Sequence, residues 1–134
     1  MGGEALRMTA CDRIARGLFY RGQNLRDNRR IRTGASFWDD LMFVADNERA
    51  ARAYGSAITS YRMRPGARLL CEGSRDFQAI AGRWRTGESL LTFAERAARS
   101  AADAGYDAVW FKRQSDVGTA VINRDVLVPV EVRL

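Results

Sequence analysis

A permanently charged side chain stands where a short apolar segment of the sequence ends. The segment covers residues 17–22, and Arg21 and Gly22 close the strand that it predicts. The chain contains no histidine, which excludes a histidine general base, a histidine-activated nucleophile and a histidine-bound metal. The chemistry left to this sequence is that of carboxylates, arginines, hydroxyl groups and backbone amides.

The positive charge of the chain is carried almost entirely by arginine. The net charge is +6, and Lys112 is the only lysine among 22 basic residues. A guanidinium group is a planar fork that matches phosphate and carboxylate oxygens, whereas an ammonium group is a point charge. This composition indicates a phosphate-bearing ligand, a nucleic acid or an acidic partner, and the alternative is a solvated basic surface.

The two cysteines, Cys11 and Cys71, are too widely separated in the sequence for a metal knuckle or a redox pair. We therefore expect two buried free thiols and no metal site. No apolar run reaches the roughly 20 residues of a membrane-spanning helix, and the first residues lack the apolar core of a signal peptide. The sequence predicts a soluble chain without a membrane span, from which any leader is absent.

Helical and β-rich segments follow each other in irregular order. A helix is predicted from Asp46 or Asn47 to Gly55, a short one around Phe77, Ile80 and Trp84, and a longer one over residues 88–105. The longer helix carries an apolar stripe formed by Leu90, Leu91, Ala94, Ala97, Ala98 and Ala101. Strand patterns occupy residues 17–21, 57–64, 68–72, 106–112, 118–122 and 125–134, and residues 41–45 form a short apolar run.

These elements predict an α+β domain, because they form no regular βαβ repeat. With 134 residues, of which 46% are hydrophobic, the chain fits one domain. We assign residues 1–16 to an N-terminal arm or short helix and residues 17–134 to the domain. Residues 23–36 predict an exposed loop or a short basic helix. In the last strand, Val126, Val128, Val130 and Val132 fall on one side, and Pro129 places the strand at an edge or a bulge.

Three segments, taken together and in order, resemble the ADP-ribosyltransferase superfamily over roughly residues 17–132. They are Tyr20-Arg21-Gly22 at a strand end, "FVADNERAARAYG" from residue 43, and "AGYDAVWF" followed by "GTAVINRDVLVPVEV" near the C-terminal end. The resemblance implies split mixed or antiparallel sheets with flanking helices. It also implies NAD as a substrate and no metal.

Individual residue roles follow from the resemblance. It implies that Arg21 binds NAD, and a guanidinium group can hold a pyrophosphate or ribose oxygen through charge-assisted hydrogen bonds. It implies that Gly22 lets the backbone approach the nicotinamide. Phe43 stands in the place of a tyrosine that stacks on nicotinamide in poly-ADP-ribose polymerases, and Tyr54 lies at the end of the following helix. Without the resemblance, Phe43 reads as a core residue.

The active site implied by the resemblance is altered. Active relatives carry a glutamate at the start of the penultimate strand, where an anion stabilises the oxocarbenium-like transition state. The hydrophobic pattern aligns residues 118–120 with that position, so Thr119 stands there and no carboxylate does. Asp116, just upstream, is the candidate substitute. Glu72 and Glu131, at strand positions, are further carboxylates, and each of the three also fits a solvated surface residue.

Three functions follow. The first is a mono-ADP-ribosyltransferase, a bacterial toxin or effector that modifies a host protein after secretion into the host cell. The second is a catalytically inactive module of the same fold, whose Arg21 cleft binds a protein or a phosphate ligand. The third is nucleic-acid binding by the arginine-rich segment 26–32, since arginines neutralise phosphates.

Overall fold

The structure is a computed structural model that describes residues 8–23 and 41–134 of the chain. Within these ranges the protein is an α+β domain with four α-helices and seven strands. The helices are α1 (Ala10–Arg16), α2 (Glu48–Ala51), α3 (Arg75–Ala81) and α4 (Leu90–Asp103). The strands are β1 (Leu18–Gln23), β2 (Met42–Val44), β3 (Ala57–Met63), β4 (Leu69–Cys71), β5 (Ala108–Trp110), β6 (Thr119–Val121) and β7 (Leu127–Arg133). Short 3₁₀ turns occupy Arg52–Tyr54 and Arg124–Val126.

The strands form two sheets. The three-stranded sheet has the order β1-β3-β7 and is antiparallel, and the four-stranded sheet has the order β2-β6-β5-β4, with β4 and β5 parallel. An isolated bridge between Tyr20 and Ala45 brings β1 alongside the end of β2. The prediction for Pro129 is confirmed, because β7 lies at the edge of its sheet among the described strands and its register against β3 shifts beside this residue.

Each helix begins with a side chain that accepts a hydrogen bond from a backbone amide in the first turn. The capping residues are Thr9, Asn47, Ser74 and Ser89. Such caps satisfy amides that have no partner inside the helix, which is why the local sequence defines these starts well. The predicted helix that follows Asp46 does begin at an Asn47 cap.

Two apolar cores lie on the two faces of the four-stranded sheet. Helices α3 and α4 cover one face, where the rings of Phe77, Phe93 and Phe111 lie 6.0–6.2 Å apart. The other face meets the three-stranded sheet around the fully buried Phe19. The apolar stripe predicted for α4 is wrong at Leu91, which is 56% exposed. Phe93, outside that stripe, is the aromatic residue that α4 buries.

The expectation of two free thiols is wrong, because Cys11 and Cys71 form a disulfide. The two residues are 60 positions apart in the sequence, and their Cα atoms are 5.8 Å apart. Packing of α1 beside β4 brings them within the normal range for a disulfide. Sequence spacing carries no information on a bridge closed by tertiary packing, so the pairing was not predictable.

Two predictions fall outside the described residues. The loop or short basic helix assigned to residues 23–36 lies there beyond Gln23, as does the whole arginine-rich segment 26–32. The short helix offered for residues 1–16 is present as α1, which begins at Ala10.

We expect acid to weaken the junction between α3 and α4. Hydrogen bonds from Arg96 lower the pKa of Glu88 from its ordinary 4.5 to about 2. A depressed pKa stabilises the folded state above pH 4.5, and this contribution is lost as the pH falls from 4.5 to about 2. Glu88→Gln should flatten the pH dependence of the unfolding free energy in that window, measured by denaturant titration. An unchanged pH dependence in the variant would contradict the prediction.

Candidate functional site

A cleft of about 550 Å³ opens where β2 and β5 end. Its walls come from two segments, the start of α2 and the loop between β5 and β6 at residues 111–118. Its volume is in the range of small-molecule sites. The cleft is lined by Asp46, Asn47, Trp110, Lys112, Arg113, Gln114, Ser115 and Asp116.

Asp46 is fixed in the cleft wall by three hydrogen bonds. Its carboxylate accepts one from Trp110 Nε1 at 2.9 Å and one from Asn47 Nδ2 at 2.9 Å. Its backbone amide donates to Gln114 Oε1 at 2.8 Å. Asn47 in turn caps α2 through Ala50 N. The carboxylate therefore has a defined position before any ligand binds.

Gln114 holds the β5–β6 loop in place through hydrogen bonds made by its buried side chain. Its side chain is buried, and its Nε2 donates to Phe111 O at 2.7 Å and to Thr119 Oγ1 at 3.1 Å. The same side chain accepts a hydrogen bond from the amide of Asp46. Gln114 therefore connects the start of its own loop, the segment before α2 and the first residue of β6. Gly118 lets the loop close, because a Cβ there would lie 2.6 Å from Val44 O.

The cleft carries charges of both signs. Asp46 and Asp116 contribute carboxylates, and Lys112 and Arg113 contribute cations. The Arg113 guanidinium lies 5.1 Å from the centre of the Trp84 ring, which supports its position. A site with both cationic and anionic side chains suits a ligand that has an anionic group and a second group that becomes cationic during reaction.

Arg21 lies on β1 beside this region. Tyr20 and Ala45 exchange backbone hydrogen bonds of 2.7 and 2.8 Å, so Asp46 follows directly after the bridge between the two strands. Arg21 shares the face of β1 that carries Phe19, and Phe19 packs against the core that contains Val44.

The same face of the four-stranded sheet carries Trp110 and Thr119. Val44, Thr119 and Trp110 are directly opposite one another across β2, β6 and β5, so they share a face. The side of β1 that bears Arg21 and the row that ends in Trp110 therefore border the same space between the sheets. Thr119 itself is fully buried, and its hydroxyl oxygen accepts a hydrogen bond from Gln114.

Arg21, Thr119 and three further candidates are not among the residues that line the cleft. Phe43 is on the opposite face of its sheet and packs against the core beneath α3 and α4. Tyr54 ends the 3₁₀ turn and is 60% exposed. Gly22 packs against the last residue of α2, where a Cβ would lie 1.9 Å from Ala51 O. Of the sequence candidates, the structure places Asp116 in the cleft.

Sequence reasoning missed Asp46, Trp110 and Gln114 as site residues. Asp46 entered only as a possible helix start, and Trp110 only as part of a β-rich segment. The available signal was that each follows or closes a short apolar strand, where side chains of neighbouring strands can meet. Gln114 gave no such signal, because its partners are Asp46 and Thr119 on two other elements.

No protein-family model, curated protein or solved structure matches this chain. In the part of the chain that the structure describes, no group of three or more cysteine, aspartate and glutamate side chains is placed to hold a metal ion. None of the helices over residues 8–23 and 41–134 combines the length and apolarity needed to cross a membrane.

Gln114→Leu should lower the free energy of unfolding by about 2 kcal/mol, because the amide of Asp46 and the carbonyl of Phe111 lose a buried partner. Denaturant titration measures the change. Ser115→Ala is the matched control on the same loop and should stay within about 0.5 kcal/mol of wild type, as exposed substitutions usually do. Equal stability of the two variants would show that Gln114 does not fasten the loop.

Proposed function

We propose that this chain is an ADP-ribosyltransferase-like domain that binds NAD in the cleft beside Arg21 and transfers ADP-ribose to a protein. One observation carries the proposal: the strand that contains Arg21 is bridged through Tyr20 to Ala45, next to Asp46, at a cleft that also holds Asp116 and two cations. The arrangement offers a cationic group for the pyrophosphate and carboxylates for the ribose.

The roles divide by charge. Arg21 holds the pyrophosphate or a ribose oxygen through paired hydrogen bonds, and Lys112 and Arg113 add positive charge at the cleft. The bond between nicotinamide and the ribose C1′ breaks, and the electron pair leaves with nicotinamide. An acceptor side chain of the target then bonds to C1′ and loses its proton to water. A carboxylate beside C1′ stabilises the cation that develops there.

Two carboxylates compete for that role. Asp116 is the candidate that the sequence suggests, and it is an exposed side chain at the cleft. Asp46 faces the same cleft and is positioned by Trp110 and Asn47. Trp110 adds an aromatic surface to the cleft, whereas Phe43 and Tyr54 keep their stacking roles only through the family resemblance.

The proposal includes secretion as an effector that modifies a host protein. The Cys11–Cys71 disulfide supports passage through an oxidising compartment, because disulfides persist there and are rare in reducing cytosol. The target protein is defined only as a host protein with a nucleophilic side chain.

Label transfer from NAD tests the enzyme. Purified protein is incubated with NAD labelled on the adenylate moiety and with host lysate, and Arg21→Ala should lower transfer at least about 100-fold. Asp46→Asn and Asp116→Asn are compared to identify the working carboxylate, and the one that acts should cause a similar loss. Arg99→Ala and Asp103→Asn, exposed on α4, are matched controls that should leave transfer unchanged.

The outcome against the proposal is equally definite. Wild-type protein that neither transfers nor hydrolyses, and that gives no calorimetric signal with NAD, contradicts the NAD-binding reading. Loss of transfer in Arg99→Ala equal to that in Arg21→Ala would mean that charge alone, not the cleft, is being measured.

A catalytically inactive binding module is the second candidate, favoured by one observation. At the strand start where the resemblance places a glutamate, the chain has Thr119, which is fully buried and bonded to Gln114. In this case the cleft binds a protein or phosphate ligand without turnover. Calorimetric NAD binding that Arg21→Ala weakens, together with no release of nicotinamide, would favour the module over the enzyme.

A further inference from the structure

Strand β7 carries exposed apolar side chains towards residue 134. Val130 is 54% exposed, Val132 60% and Leu134 86%, although the pattern of alternate valines is typical of a buried strand face. In the described residues β7 pairs only with β3, so its other edge carries no strand there. Exposed apolar edge strands pair readily with a further strand.

The backbone of Val132 points outward along this edge. Arg64 N donates to Val126 O at 2.7 Å, which sets the alternation of inward and outward residues on β3. Ser60 is an even number of residues from Arg64, so its backbone groups also point towards β7. The backbone groups of its partner, Glu131, therefore point towards β3. The intervening Val132 therefore directs its N–H and C=O away from the sheet, where a second strand can use them.

Residues 130–134 are complementary to themselves in one antiparallel register. With Val132 opposite Val132 of a second copy, Glu131 faces Arg133 on both sides of the axis, and Val130 faces Leu134. Moving the axis to Glu131 or to Arg133 sets like charges opposite each other, which is unfavourable. The charges therefore select the same register that pairs the outward backbone groups of Val132.

The two charged side chains have room for such a partner. Glu131 is 64% exposed and lies 3.8 Å from Arg133, which is itself 50% exposed and also bonds Glu48. Pro129 lacks an amide hydrogen, so it ends the pairing segment on one side. Arg133 of a second copy can form an ion pair with Glu131, whose contact with Arg133 of its own chain is long, at 3.8 Å.

We propose that β7 is a homodimerisation edge, at which two copies of this chain pair antiparallel about Val132 and join their three-stranded sheets. The partner is a second copy because, in the register about Val132, Glu131 of each copy lies opposite Arg133 of the other. The interface is small, and we expect association in the micromolar to millimolar range.

Exchange of the two charges tests the register. Glu131→Arg and Arg133→Glu are prepared separately in the whole chain and studied by sedimentation over micromolar to millimolar concentrations. Each variant alone sets like charges opposite each other, so self-association should weaken at least about tenfold. An equimolar mixture of the two restores opposite charges at both positions and should associate about as tightly as wild type.

Substitution of Arg133 also removes its ion pair with Glu48 and could disturb the strand itself. A second variant that leaves this ion pair intact is therefore needed. Val132→Lys sets two lysines across the axis and should abolish association, whereas Leu91→Lys, at a comparably exposed position on α4, should not. A wild-type chain that stays monomeric to millimolar concentration overturns the proposal. So does a mixture no tighter than its components, or equal effects of the two lysine variants.

Discussion

Replacing both cysteines with alanine should lower the free energy of unfolding by about 4 kcal/mol, the chain-entropy value for a loop of this length. The disulfide closes 60 residues between α1 and β4, so its loss returns many conformations to the unfolded chain. The Cys11→Ala/Cys71→Ala variant and wild type are compared by denaturant titration. A change of this size is a large fraction of the stability of a small domain.

Reduction provides the control. Dithiothreitol should lower the stability of wild type towards that of the Cys11→Ala/Cys71→Ala variant and should leave the variant unchanged. Wild type that is equally stable with and without reductant, although free thiols are detected after reduction, would mean that the bridge contributes no stabilisation. Retained stability in the variant would have the same meaning.

Gly22→Ala should lower the free energy of unfolding by about 3 kcal/mol, at the upper end of overpacking costs. A Cβ at residue 22 would lie 1.9 Å from Ala51 O and 3.0 Å from Gly55 O. Backbone atoms cannot rotate away as a flexible side chain can, so β1 must separate from the end of α2 and from the turn that follows it. The displacement would also move the strand end that bears Arg21.

Gly17→Ala is the matched control, since its added Cβ would come no closer than 3.4 Å to Ile14 O. The φ angle of Gly17 is −80°, which alanine adopts freely, so this variant should match wild type or gain about 0.4–1 kcal/mol. Both variants are measured by thermal and denaturant unfolding. A Gly22→Ala protein as stable as Gly17→Ala would contradict the close approach.

The Gly22→Ala result also distinguishes two roles for Gly22, ligand binding and packing. The family resemblance gives Gly22 a role beside nicotinamide, whereas its surroundings in the structure give it a role in packing. A variant that folds and loses only NAD binding would support the ligand role. A variant that loses stability and NAD binding together would support the packing role.

Much of the fold followed from local patterns. The strand ending near Arg21, the helix capped by Asn47 and the edge position of Pro129 were predicted, and each is present. These features depend on neighbouring residues: alternation along a strand, a capping side chain and the missing amide hydrogen of proline. The error at Leu91 arose because helical periodicity defines a stripe but not its exact edge, which only the packing partners determine.

The candidate site was less predictable. Asp116 was named because it lies just upstream of the position where the family resemblance places a glutamate. Asp46 and Trp110 gained significance only from the hydrogen bond between their side chains. The two residues are separated by 64 positions, and the amide of Asp46 meets Gln114 across 68. Contacts of that separation depend on how two sheets and a loop pack, and no local pattern encodes them.

By itself, the sequence determined the chemistry available and the elements that can carry it. It has no histidine, its positive charge is almost all arginine, and its caps and alternations specify most helices and strands. The tertiary structure alone decided that Cys11 meets Cys71, that Thr119 is buried, and that Asp46 and Asp116 share a cleft. The physical reason is range, because residue types and periodicity act over a few positions, whereas these contacts exist only after distant segments have packed together.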